Sequence, residues 1–305
     1  LTQRNNFDHY VTKHYLNNFR NDAGTLFIGD VNSLDVEEAE DLSRVFGDRN
    51  WSLSQDLEDY FTAIETPVAD AFKRVKSDPT AVKGLATKTR EQIGTFMAIH
   101  SARSPALHEA ATQSYTKTEA AVKQGAPSQR AADAFSLGVP DRATTMSLGL
   151  DAARKMESVL RMKSCIGVLA PRGRSFLTSD CPVATLSSQQ SFYMRGALFA
   201  PETYFWFPLN SQLGLFLGDR DGPKFPAGKL RLQEATDRAC KELNKSQVWS
   251  AHAHIAGQYR GVVRLGARHQ NVGQDRAEVE QIGPYVMNSN NAVFRVEASK
   301  LGNLV

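Results

Sequence analysis

The apolar pattern of this chain turns from helical to strand-like near Ser164, and that change constrains the fold more than any other feature. From 34 to 163 apolar residues recur at three- and four-residue steps. Leu53, Leu57, Tyr60 or Phe61, Ile64, Val68, Ala71 or Phe72, and Val75 fall on one stripe of a helix. Pro67 lies inside that helix and is expected to kink or restart it, because proline has no N–H and crowds the preceding turn. A second helix carries Ile93, Phe96, Met97 and His100 and breaks at Ser104-Pro105. A third is expected over 107–122, and Asp141 is placed to cap a fourth through Met146, Leu150, Met156 and Leu160.

From 164 to 220 the pattern is that of strands. The apolar run 165–170, the turn 171–174 and the return 175–178 read as a hairpin, and 204–209 and 213–218 read as two more strands around Asn210-Ser211. A late helix is expected over 233–251. Helices followed by strands, rather than βαβα alternation, define an α+β class, expected as a central helical bundle packed on a small, mostly antiparallel sheet. Residues 1–258 are expected to form one domain and 259–305 a C-terminal extension of unassigned role.

The 305 residues are 41% hydrophobic and 23% charged, as in an ordinary packed protein. The net charge of +3 is a mild basic bias, compatible with a nucleic-acid or nucleotide partner. Cys165, Cys181 and Cys240 are isolated, which argues against a disulfide framework and points to a reducing, cytoplasmic setting. No apolar run approaches the roughly 18 residues of a membrane span, so no membrane association is expected. Neither a phosphate-binding nor a dinucleotide-binding glycine motif is present.

The segment 7–19 holds two His, two Tyr and two Phe. His9 and His14 are five residues apart and do not share a helical face, so the segment is expected to supply one imidazole, His9, to a site completed by distant residues. His9-Tyr10-Val11, Tyr15-Leu16 and Asn18-Phe19 resemble the opening block of the domain of unknown function 4238 family. The likeness continues at Leu57-Glu58-Asp59-Tyr60 with Ile64-Glu65, at Phe96-Met97 with Arg103-Ser104-Pro105, at Phe176 through Val183, and at Leu243-Asn244. The resemblance covers about 7–255 and implies no particular activity. Thr12 and Cys181 depart from it, standing where that family usually has Pro and Asn.

His9, Glu65, Arg103 and Asp180 come from four of these blocks. Together they offer an imidazole, two carboxylates and a guanidinium, a set suited to a phosphodiester- or nucleotide-directed hydrolase, for instance a nuclease in phage defence or a mobile element. In that reading Glu65 and Asp180 hold a divalent metal, Mg or Mn, His9 serves as base or ligand, and Arg103 steadies the anion. Tyr10, Tyr15, Ser179 and Asn244 are the expected substrate contacts. The plainer alternatives are an Asx-type turn for Ser179-Asp180 and an arginine-paired helical carboxylate for Glu65. A rival reading is a non-catalytic module that binds nucleic acid or protein through the aromatics of 7–19 and Tyr204-Phe205-Trp206-Phe207. A second rival rests on Arg103 and His108, whose R-x4-H spacing resembles the metal-independent HEPN ribonucleases. His252 and His254 are expected to be surface or structural.

Overall fold

The computed structural model describes residues 7–43, 45–49, 55–105, 141–187, 203–218, 224–227, 230–268 and 293–304, with isolated positions between 112 and 128. Leu53, His108 and most of the helix expected over 107–122 lie outside the described residues.

After a short N-terminal helix α1 (Lys13–Leu16), three long helices carry the apolar stripes: α2 (Gln55–Ser77), α3 (Thr87–Ala102) and α4 (Arg142–Met162). α3 packs against both α2 and α4. Phe61, Val68, Ala71, Phe72 and Val75 of α2 are buried, as their spacing requires. α2 runs through Pro67 without a break. Pro67 and Ala63 are both exposed, so the carbonyl that loses its donor lies on the solvent side, where water can satisfy it. Asp141 caps α4, its carboxylate accepting from the Thr144 N–H at 2.7 Å.

The sheet is larger than the small one expected. Six strands run in the order β10-β5-β9-β8-β7-β12, four in the order β3-β2-β11-β6, and β1 pairs with β4. Their bounds are β1 (Phe7–His9), β2 (Leu26–Asp30), β3 (Val36–Ala39), β4 (Gly47–Arg49), β5 (Ser164–Leu169), β6 (Thr178–Ser179), β7 (Ala184–Ser187), β8 (Thr203–Pro208), β9 (Leu213–Gly218), β10 (Arg231–Glu234), β11 (His254–Gly257) and β12 (Val293–Arg295). Pairing is antiparallel except at the two edges of the six-stranded sheet, β10–β5 and β12–β7.

β8 and β9 are buried on both faces, which is why they read as continuous apolar runs. Phe205 and Phe207 face the core shared with α2, α3 and α4. Trp206 and Phe216 face a second core formed with α5 (Asp237–Ser250) and α7 (Ala298–Leu301). Gly214 leaves room for the indole: a Cβ there would come within 2.2 Å of Trp206.

Three expectations are corrected. The stretch 34–50 holds β3 and β4 rather than helix. β3 is an edge strand whose Glu37 and Glu38 are exposed, so it shows none of the apolar alternation that marks a strand. The return 175–178 does not pair with β5. Asn244 of α5 takes that backbone instead, accepting from the Leu177 N–H at 2.9 Å and donating to the Ser175 carbonyl at 2.8 Å, and β6 then pairs with β11. The described parts of 259–305 are woven into the fold: α6 (Arg260–Arg268) covers β2 and β11, β12 extends the main sheet, and Val296, Leu301 and Leu304 are buried.

Candidate functional site

Arg103 terminates α3 as its C-cap and turns its guanidinium inward, where the side chain is 2% exposed. Nη1 donates to Glu65 Oε1 at 2.8 Å and Nη2 to Glu58 Oε2 at 3.3 Å. The two glutamates are seven residues apart on α2, two helical turns, so they project from one face toward one cation. The guanidinium carbon lies 4.1 Å from the Phe61 ring centroid, a cation–π contact.

One buried guanidinium faces two carboxylates, of which Glu58 keeps contact with water and Glu65 is largely withdrawn from it. Burial, reinforced by the charge of Glu58, pushes the Glu65 pKa from 4.5 to about 7, against the opposing pull of Arg103. Burial likewise lowers the pKa of Arg103, opposed by Glu65, Glu58 and Asp8.

His9 ends β1, and its Nδ1 lies 2.9 Å from the Val45 carbonyl. A carbonyl only accepts, so Nδ1 carries the proton and Nε2 is the basic nitrogen of the neutral ring. Burial lowers the His9 pKa, helped by the charges of Lys13 and Arg103 and opposed by Val45 and Glu58. The charges of Arg103 and Glu58 thus both reach the His9 ring. The next residue of the same loop, Phe46, holds a left-handed φ of 51°. Its carbonyl accepts from the N–H groups of Tyr10 and Val11, and its ring centroid lies 5.8 Å from that of His254.

Asp180 belongs to a neighbouring knot. It is 1% exposed; Oδ1 accepts from the His252 N–H at 2.7 Å, and Oδ2 accepts from those of Ala253 and His254 at 2.8 and 2.9 Å. Burial raises its pKa, and the three N–H donors and His254 oppose that rise. The His254 ring sits between two carboxylates, with Nδ1 3.9 Å from Asp180 Oδ2 and Nε2 3.8 Å from Asp30 Oδ2. The two clusters touch through consecutive residues: Ser104 Oγ, next to Arg103, lies 2.8 Å from Cys181 Sγ, next to Asp180. Tyr10 bridges them. Its carbonyl accepts from His100 Nδ1 at 3.1 Å, while burial and then the charges of Asp180 and Cys181 raise its phenol pKa.

Several expected roles change. Glu65 is committed to Arg103, and both oxygens of Asp180 are committed to backbone N–H groups, so these residues do not fit a shared ion. Among the described residues no group of three or more His, Cys, Asp or Glu is placed to hold a metal. Tyr15 is fully buried, and its hydroxyl spans the Pro208 carbonyl at 2.7 Å and Thr178 Oγ1 at 2.8 Å. Ser179 is buried in an ST-type turn, accepting from the Cys181 N–H and lying within hydrogen-bond reach of the Cys181 carbonyl and Gln247 Oε1. Asn244 is the backbone clamp already described. These three support the site rather than line it. The aromatic run Tyr204 to Phe207 is core, not a recognition surface. Thr12, the departure from the family's proline, caps α1 by accepting from the Tyr15 N–H. Glu58, His100 and Ser104 were not singled out from the sequence. Glu58 and Ser104 lie in the resembling blocks, and the seven-residue step from Glu58 to Glu65 was a further signal for Glu58.

The fold and this site define an α+β protein in which separate sequence blocks meet around a buried arginine. Residues 8–260 match the family described as protein of unknown function (DUF4238), and the chain belongs to that family. No curated protein and no solved structure matches it. Among the described residues no helix is long and apolar enough to cross a membrane.

Proposed function

We propose that this chain is a hydrolase of phosphodiester or nucleotide substrates that works by acid–base catalysis around Arg103. The observation that supports this reading is the pair of groups influenced by Arg103: a Glu65 carboxyl bonded to its guanidinium and pushed by burial to about 7, and a His9 imidazole whose pKa burial and the Arg103 charge lower. An acid and a base with pKa values pushed apart from their ordinary order are what proton transfer at neutral pH requires.

In this mechanism His9 Nε2 takes the proton of the attacking water as its oxygen bonds to phosphorus. Glu65 gives its proton to the leaving oxygen as the phosphorus–oxygen bond breaks. Arg103 is a positioning residue: it fixes Glu65 and supplies a permanent positive charge beside the developing anion. No metal takes part in these steps.

The test is a screen of the purified chain against single-stranded RNA, single-stranded DNA and free nucleotides, with and without EDTA. Hydrolysis that persists in EDTA is expected. Absence of hydrolysis across the panel would contradict the reading, and hydrolysis abolished by EDTA would overturn its metal-free mechanism.

A further inference from the structure

We infer that the outward face of α6 binds the phosphate backbone of a nucleic-acid strand; the inference rests on the phosphodiester reading above and adds a location for the substrate. Arg260, Arg264 and Arg268 recur every four residues, and the helix holds no acidic residue. Each step advances about 6 Å along the axis and turns about 40°, so the three guanidinium groups form one slowly winding row. The adjoining face, Val263, Gly266 and Ala267, is buried on β2 and β11. Between the arginines Leu265 stands 60% exposed, an apolar group on a surface that gains nothing from it in water.

The row has a direction. A Cβ on Gly29 would meet Val263, and one on Gly266 would meet Leu177, so α6 runs from the β3 edge, where Arg260 is bonded, across β2 and β11 toward β6. Arg268 is therefore carried toward the β6 side of the sheet. His254 lies against Phe46, and the Val45-Phe46 loop holds His9 and Tyr10. The arginine row thus leads from the β3 edge of the four-stranded sheet toward the β6 edge, where Asp180 follows Ser179.

The three arginines are not equivalent. Arg260 is tied to the β3 edge, its Nη2 donating to the Val36 carbonyl at 3.0 Å and its Nη1 lying 3.5 Å from Glu38. Arg264 and Arg268 are exposed and make no ion pair with any described residue. They are the pair assigned to phosphate. A solvated face would need no such row, and a row of guanidinium groups without interleaved acids complements a polyanion.

The experiment measures binding of fluorescently labelled single-stranded RNA and DNA by anisotropy across a salt series, with circular dichroism to confirm folding. Arg264→Gln with Arg268→Gln is expected to weaken binding about tenfold and to reduce the salt slope by about 1.4, two phosphates at roughly 0.7 each on a single strand. Arg154→Gln, at an exposed position of α4, is expected to bind as the unmodified chain does. Unchanged affinity and slope in the double variant would overturn the inference. So would a chain that binds anionic vesicles but neither oligonucleotide. A Glu65→Gln chain that still hydrolyses substrate would overturn the catalytic reading alone and leave the binding face standing.

Discussion

Arg103 Nη1 lies 2.8 Å from Glu65 Oε1, and this contact joins the end of α3 to the middle of α2 inside the protein. Removing one partner of a buried pair leaves the other charge without compensation. Arg103→Met is therefore expected to destabilise the fold by about 3–5 kcal/mol at pH 8, and by less at pH 5, where Glu65 can take up a proton instead. Denaturant unfolding at the two pH values measures this. A loss under about 1 kcal/mol at pH 8 would show that the pair is not a centre of the fold.

Glu65 also sets a pH dependence. Its pKa is raised in the folded chain, from 4.5 to about 7. The stability it contributes is fully present below about pH 4.5, where both states hold the proton, and declines as pH rises to about 7, because the unfolded chain releases the proton first. The difference in melting temperature between the unmodified chain and Glu65→Gln is expected to fall across that window. A flat difference would mean that Glu65 has the same pKa in the folded and the unfolded chain.

Tyr15 and Asn244 were read from the sequence as substrate contacts, and the structure makes them supports. Tyr15→Phe removes the donor to the Pro208 carbonyl, and Asn244→Leu leaves the Leu177 N–H and Ser175 carbonyl without their partner. Each lost buried bond is expected to cost about 1–3 kcal/mol. Substrate KM should stay unchanged in both variants where they remain folded. A raised KM with unaltered melting temperature would return either residue to the binding site.

The helices α2, α3 and α4 were legible because each carries a complete apolar stripe, and β8 and β9 because both faces are buried. β3 was not legible: its Val-Glu-Glu-Ala sequence has too few apolar residues to show a period, and its place depends on pairing with β2. The hairpin expected after β5 failed for a related reason, since the partner of Leu177 is a side chain 67 residues away. At the site, residue types in the resembling blocks pointed to His9, Glu65, Arg103 and Asp180. They could not show that Asp180's oxygens are taken by the backbone of 252–254, because backbone N–H groups leave no mark in a sequence. Glu58 was within reach of sequence reasoning, as it lies two turns before Glu65 on the same face.

The most direct test of the central claim is the turnover of Glu65→Gln on a phosphodiester substrate cleaved by the unmodified chain, with folding and substrate binding measured on the same preparation. Glutamine keeps the size of the side chain and an acceptor for Arg103 but has no proton to give. The expected result is a folded protein that binds substrate and has lost turnover by about 10²-fold or more. Turnover equal to that of the unmodified chain would contradict the account and leave the Arg103–Glu65 pair a structural one.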